Sequence, residues 1–503
     1  MTVLANDAPT ARVHRFDLVL APILGAIATL GFAPISFWPA AVLALAGLFG
    51  LCAARSWKRA ALLGWLFGVT HFGTGVYWVF ISTHVYGGAP FWLGIALATV
   101  LFSYLALYVA AVCALGSFLQ AWRSGIGWVL VPAAWLLSEL LRGWIYTGFP
   151  WLSLGYIALD TPAERFAPLV GTHGLSFVFA LSAYALLRSA WARGAARPAA
   201  LVVALLPLSG ALLPAPQTWT HDAGPSLRVA VVQGNVPQSE KWERGRGAEI
   251  MARYRAMTLA AQADIVAWPE VVPNRPLDQV EDYFAELNER MREKNAALLA
   301  GVLIRGPRDG EIYNSILALG SAKGRYDKQH LVPFGEYFPI PDWLRPVMDV
   351  LGTPYSDFSR GSSQHEEISA HGQHLGISIC FEDVFGSEFA REAFSASLLV
   401  NATNDAWFAG SSAPHQHLGI ARFRALENGR WLVRATNTGI SALIGPDGHV
   451  AVRSRQYATE LMTGRVTPRA GHTPYARYRD PPLWALSGAL VVLGFIFHMK
   501  RIR

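Results

Sequence analysis

The stretch LGISICFEDVFG (375–386) closes an apolar run with Cys380, one of only three cysteines in 503 residues, and places Glu382 and Asp383 just beyond it. A thiol attacks as its thiolate, so a reactive cysteine needs a base or a cation nearby. The two adjacent acids work against that, because like charge disfavours a thiolate. No histidine is clearly placed as the activating partner. A distant carboxylate with a lysine is the alternative. WPEVVP (268–273) ends a strand-like run in Glu270, and YDKQHLVPFGEYFP (326–339) supplies Lys328 and Glu336. Such a set can carry out acyl transfer: the glutamate takes the thiol proton, the cysteine attacks a carbonyl, and the lysine stabilises the oxyanion. Taken singly, each residue has an ordinary reading as a surface acid, a solvated lysine or a small core residue. Cys52 and Cys113 lie inside apolar segments and read as packing residues. The wide cysteine spacing gives neither a disulfide framework nor a metal-binding pair. His415 and His417, in PHQHLG, stand two apart, share no helix face and have no partner at ligand spacing. They read as structural or surface residues rather than metal ligands.

Elements that could bring these groups together are legible between residues 226 and 472. Strand-like runs fall at 226–235, 263–270, 296–304, 313–319, 374–383, 395–405 and 430–448, with helical apolar spacing at 246–262, 281–293 and 414–427. Strands with helices between them predict an α/β layered domain. Ligand crevices in open α/β sheets form at strand ends. Glu270 and Cys380, each at such an end, could therefore meet in space.

The rest of the chain is of another kind. Overall 52% of residues are hydrophobic and only 15% charged, too apolar for an average soluble enzyme. A helix needs about 20 apolar residues to cross the hydrocarbon core. About seven candidates precede residue 220, near 17–33, 37–54, 60–82, 91–119, 126–143, 168–191 and 198–215, and an eighth lies near 482–499. More spans follow the first at once, so it does not read as a cleaved signal. The expected organisation is a membrane domain over 1–220, a catalytic domain over 226–472 and a last span at 482–499. Arg12, Arg15, Arg55, Lys58, Arg59, Arg123, Arg188, Arg193, Arg197, Lys500, Arg501 and Arg503 all fall on one side if the N-terminus is cytoplasmic. Both termini are then expected inside and the 226–472 domain outside. The formal charge of +7 therefore points to membrane orientation. No basic block or nucleic-acid motif accompanies it, so no nucleic-acid partner is expected. Glu139 and Arg142, in SELLRGWIYTGFPW (138–151), stand at i and i+3 and could pair on one helix face. Two readings stay open for them. One is an interfacial ion pair within an aromatic belt of Trp144, Tyr146, Phe149 and Trp151. The other is a substrate-binding floor for a lipid head group.

The triad residues and the motifs around them resemble the nitrilase superfamily, whose members carry a Glu-Lys-Cys triad on an α-β-β-α sandwich. With the membrane half, nearly the whole chain resembles that superfamily's membrane branch, the bacterial apolipoprotein N-acyltransferases. The motifs are TGFPW (147–151), VVQGNVPQSEKW (231–242), WPE (268–270), YDKQHLVPFGEYFP (326–339), SICFED (378–383), NATNDAWF (401–408) and RALENGRWLVRATNTGISA (424–442). The resemblance implies Glu270 as general base, Lys328 as the triad lysine, Cys380 as nucleophile and Glu336 as a second acid. Phe381 and Glu382 match the supporting positions after the nucleophile. The family usually has tyrosine at the first of them, so Phe381 keeps the ring and loses the hydroxyl. Trp242, Asn314 and Trp407 fall on further motif positions near the site and are expected as substrate-binding residues, with core packing as the other reading.

The implied activity is transfer of a fatty acyl chain through a Cys380 thioester to the N-terminal diacylglyceryl-cysteine of an apolipoprotein. The implied partners are a phospholipid donor such as phosphatidylethanolamine, the diacylated acceptor and the bilayer of the bacterial inner membrane. No cofactor and no metal are implied. The apolar, irregular segment 340–358 is expected to form a flap against lipid, or else a packed surface loop. Two rivals remain: a membrane-tethered amidase acting on small amides, and a transporter with a degenerate extracytoplasmic domain. The intact triad and the scarcity of charge within the spans weigh against the transporter.

Overall fold

The computed structural model describes residues 15–241, 243, 245–337, 357–362 and 366–502, without the side chains of 501 and 502. Arg12, Trp242, Arg503 and the expected flap over 340–356 lie outside the described residues.

The first half is helical: α1 (Arg15–Thr29), α2 (Trp38–Cys52), α3 (Trp57–Gly75), α4 (Phe91–Phe118), α5 (Gly127–Arg142), α6 (Ala167–Trp191) and α7 (Ala196–Ala204). A π-helical turn, Ile81–Tyr86, lies between α3 and α4. Helix α4, the stretch Pro162–Trp191 and the stretch Pro481–Lys500 are long and apolar enough to cross a membrane. α1, α2 and α5 are shorter, at 15, 15 and 16 residues. The expected span at 198–215 is not one continuous helix. α7 ends at Ala204 and a 3-10 turn, Leu206–Leu212, follows, because Pro207 cannot donate to an α-helical ladder. Gly171 breaks α6 near its start, with φ +64 and ψ −175. A side chain there would also run into the Tyr475 ring, 2.3 Å from an ideal Cβ.

The second half is a four-layer sandwich. One sheet holds β1 (Leu227–Gln233), β2 (Ile265–Ala267), β3 (Ala297–Arg305), β4 (Ile312–Gly320) and β5 (Arg325–Asp327). The other holds β6 (Ile368–Ala370), β7 (Gln373–Ile379), β8 (Leu398–Thr403), β9 (Leu432–Thr436), β10 (Ala442–Ile444) and β11 (Val450–Arg453). A further strand, β12 (Glu460–Val466), returns antiparallel to β1, giving the first sheet the order β12-β1-β2-β3-β4-β5. The second runs β11-β10-β9-β8-β7-β6, with the short strand Ala322–Lys323 at its edge. Strands β7, β8 and β9 are parallel neighbours.

Strand alternation builds the layers. Val229, Val231, Ile265 and Leu299 meet Ile377, Ile379, Val400 and Val433 between the sheets. Ala230, Val232, Val266 and Leu298 face the other way, onto α8 (Arg246–Ala260) and α9 (Glu281–Glu293) through Tyr254, Phe284 and Leu287. On the far side Leu399 and Leu432 pack on α10 (Gly386–Glu392) and α11 (Ala413–Asn428) through Phe389, Leu418 and Ala425. The expected run 430–448 is two strands with a bend between them, β9 and β10. α12 (Pro481–Ile502) closes the chain.

The helical half and the sandwich share one apolar core. Val384, Phe385, Ile420, Phe423 and Leu426 of the sandwich pack in the same cluster as Phe49, Phe67, Trp122 and Trp151 of the helical half.

Candidate active site

Glu270, Lys328 and Cys380 follow β2, β5 and β7, at strand ends of the two facing sheets. The Glu270 segment is clamped from both sides: Trp268 N donates to Leu299 O at 2.9 Å, and Val272 N to Gly301 O at 2.9 Å. A Cβ on Gly301 would sit 2.1 Å from Pro269 O, so this close approach requires glycine. Asn314 O accepts Lys328 N at 2.8 Å and holds the lysine backbone.

Lys328 is only 1% exposed at its side chain, and its Nζ lies 3.2 Å from Glu270 Oε1 and 2.7 Å from Glu336 Oε1. Asn314 Nδ2 donates to the same two carboxylates, at 2.7 and 3.3 Å. Val332 N donates to Glu336 Oε2 at 2.8 Å. Burial opposes the Lys328 charge, yet Glu270 and Glu336 outweigh it and raise its pKa above the ordinary lysine value. The lysine is thus held as a cation between two acids. Asn314, expected as a substrate-side contact, is itself buried and spends its amide on those acids.

Cys380 is partly exposed and takes φ +51, a left-handed conformation that a non-glycine residue adopts at a cost. Burial pushes its thiol well above the ordinary value and Glu270 adds to that, while Lys328 and Thr403 pull the other way. A thiol raised in this way would need a base to reach its thiolate.

Glu382 fastens the nucleophile turn to the lysine loop. It accepts Ile379 N at 2.7 Å, Gln329 N at 2.6 Å, His330 N at 3.0 Å and the Tyr326 hydroxyl at 3.0 Å. Burial raises its pKa to about 7 in spite of those donors. The Phe381 ring lies in an aromatic group, 5.2 Å from Phe385, 6.1 Å from His330 and 6.5 Å from Phe149. Phe149 belongs to the TGFPW loop of the helical half, so that loop touches the residue next to the nucleophile.

Glu139 and Arg142 do not form the expected ion pair. Arg142 Nη1 donates to Phe149 O and Trp151 O, both at 2.6 Å, and Nη2 to Ser153 Oγ at 3.1 Å. Glu139 Oε1 accepts Trp135 Nε1 and Leu154 N, each at 2.9 Å. Both residues are buried, and their polar groups hold the 149–154 loop instead of presenting a floor to a head group. Carbonyl oxygens turned inward by that tight loop are the physical reason. Trp407 is 38% exposed, and its carbonyl accepts the Ser82 hydroxyl at 3.0 Å, beside the π-helical turn.

The sequence reading missed Gln416, Thr403 and a buried charge cluster around His417. Gln416 Oε1 accepts Trp151 Nε1 at 2.7 Å and Trp78 Nε1 at 3.2 Å, and its Nε2 donates to Gly75 O at 2.9 Å. It ties α11 to two loops of the helical half. His417, one position on, is buried with both ring nitrogens on carboxylates, whereas His415 is partly exposed. The Asp383, Asp405 and Arg434 of this cluster all lay inside quoted motifs, but no spacing rule links them.

Residues 24–185 match the family described as the apolipoprotein N-acyltransferase N-terminal domain, and residues 228–475 match the carbon-nitrogen hydrolase family. The chain is 39% identical over 495 residues to an apolipoprotein N-acyltransferase of Methylococcus capsulatus, covering 96% of each. A protein of the same name from Azotobacter vinelandii is 40% identical over 494 residues, 96% of this chain and 95% of that one. One from Pseudomonas aeruginosa is 38% identical over 495 residues, 96% of each.

Proposed function

The chain belongs to the apolipoprotein N-acyltransferase family, and from that premise we propose that it moves a fatty acyl chain from a phospholipid onto an apolipoprotein by way of Cys380. The observation that carries this is the buried Lys328, held between Glu270 and Glu336 at the strand ends that also carry Cys380.

In the first step Glu270 takes the Cys380 proton as sulfur attacks an ester carbonyl of the phospholipid. Lys328 and a backbone N–H, that of Phe381 being the candidate, receive the oxyanion. The tetrahedral adduct collapses, the ester C–O bond breaks, and Glu270 returns the proton to the departing lyso-lipid oxygen. A thioester remains on Cys380. In the second step the α-amine of the diacylglyceryl-cysteine attacks that thioester and Glu270 accepts a proton from the amine. The C–S bond then breaks and the sulfur leaves with that proton. Glu336 and Asn314 keep Glu270 and Lys328 in place in both steps. One nucleophile serving two substrates in turn gives ping-pong kinetics.

Both substrates carry acyl chains that leave a bilayer at a cost of about 0.8 kcal/mol per CH₂, so the site has to lie at the membrane surface. We place the chain in the bacterial inner membrane with about eight spans, both termini cytoplasmic and the sandwich periplasmic. The loops that the basic-residue pattern assigns to the outside support this. The π-helical turn, the residues just before it and the 149–154 loop touch the sandwich through Ser82, Trp78 and Trp151. Gly31, Phe32, Ala33 and Ser36 line a cleft with His415 and Leu418 of α11. Phosphatidylethanolamine as donor follows from the family resemblance. An amidase for small amides has no use for this frame.

Incubating the purified protein with labelled phospholipid should leave an acyl adduct on Cys380, seen by mass spectrometry. A diacylated lipopeptide should then discharge it as the N-acylated product. Cys380→Ala should abolish the adduct and keep the fold. Absence of the adduct, or its release only as free fatty acid, would sink the transferase reading.

A further inference from the structure

Behind the nucleophile turn lie four charges that take no part in the reaction described above. His417 Nδ1 is 2.8 Å from Asp405 Oδ1, and its Nε2 is 2.9 Å from Asp383 Oδ1. Arg434 spans the same two acids, at 3.3 Å to Asp383 Oδ2 and 3.1 Å to Asp405 Oδ2. All four side chains are no more than 1% exposed. Both imidazole nitrogens face carboxylate oxygens, so both must carry a proton, and the ring is an imidazolium. Two cations then balance two anions, which is what burial of charge demands.

This quartet is joined to the thiol by position. Asp383 is three residues past Cys380, on the same turn. His417 Nε2 also lies 3.4 Å from the Cys380 carbonyl. Asp405 follows β8, whose register sets Ala402 beside Ile379 and so brings its end next to Cys380. The groups acting on the thiol are Glu270 from the β2 end, Lys328 from the β5 end, and Asp405 and Thr403 from the β8 end. Those facing His417 are Asp383 from the turn, Asp405, and Arg434 from β9, with the Trp151 ring 5.4 Å away.

We propose that His417 is a positioning residue whose positive charge, with that of Arg434, cancels Asp383 and Asp405 and so keeps the thiolate of Cys380 attainable. Arginine cannot give up its charge in a protein, so His417 is the member that can vary. Losing its proton, or the ring itself, leaves a net negative charge under the nucleophile, and a like charge raises a thiol pKa. Removing an aspartate does the reverse. A purely structural role would make both losses act in the same direction.

The inference rests on Cys380 being the nucleophile, but its test needs no turnover. Alkylation of Cys380 by iodoacetamide is followed as a rate at about pH 7, where His417 keeps its proton, on the full-length protein, read from the Cys380 peptide by mass. His417→Gln should lower that rate about tenfold. Asp405→Asn should raise it, and the double variant should return close to the parent. Melting temperatures identify any variant that does not fold. Should one single variant fail to fold, the other is compared with the double, and the two must differ in the stated direction. Single variants that shift the same way, or none that shifts, would overturn the proposal. An alkylation rate that responds as stated in a protein forming no acyl adduct would leave this inference standing and remove the transferase mechanism.

Discussion

Glu382 lies two residues from the nucleophile, yet its carboxylate is taken up by three backbone N–H groups and a phenol. Proximity in sequence therefore points away from the proposed base, Glu270, which lies beside Lys328. The motifs made that legible. They could not show why Phe381 does without a hydroxyl, because its neighbours Phe149, His330 and Phe385 come from three different segments. His417 was legible only as a structural or surface residue. Its environment has a consequence for stability. Burial opposes its charge, but Asp383 and Asp405 hold its pKa up to about 9, above the free value of about 6.5. The folded protein therefore keeps a proton that the unfolded chain releases between those values. This stabilisation is complete below pH about 6.5 and lost as pH rises through about 9, on the order of 3 kcal/mol in all. The melting temperature should fall across that window, and His417→Gln should flatten the fall.

Strand and helix positions in the sandwich followed from apolar alternation, with two kinds of miss. The 263–270 run yields only the three residues of β2, since Trp268 to Val272 leave the ladder to present Glu270. β11 and β12 escaped because half-exposed edge strands, such as Val450–Arg453, carry no apolar run. Among the membrane helices the sequence could not show the break in α6. There the freed Thr172 N–H and hydroxyl each donate to Glu427 Oε1 at 2.7 Å, and Glu427 comes from α11 of the sandwich. Its own counter-ion is the buried Arg424, 3.0 Å away. Glu427→Ala removes a cap and strands a buried guanidinium, which should cost about 3–5 kcal/mol. Unfolding in detergent by denaturant measures this. A loss no larger than that of an exposed helix substitution would refute the assigned role.

The two halves, which read as separate domains, are one packed body at their junction. Gln416 bonds two tryptophans and a carbonyl of the helical half, and Arg422 forms a two-point ion pair with Asp160. A fragment of residues 226–472 would turn Phe385, Ile420, Phe423 and Leu426 out to water. It should aggregate or require detergent when expressed alone, as size-exclusion chromatography would show. A monodisperse, detergent-free fragment would contradict this. Composition announced the two halves, but which side chains join them depends on polar residues in loops, where no periodicity exists to read.

The Glu427 cap also bears on the order in which the polypeptide is completed. Synthesis runs from the N-terminus, so α6 is made some 250 residues before its cap. Until the sandwich has folded, the Thr172 N–H waits without its partner, at a helix break that only that domain can satisfy. The last helix, α12, is made later still and packs against α5. Assembly therefore finishes the helical half last, and a sandwich that folds wrongly leaves an open seam in the helices that were made first.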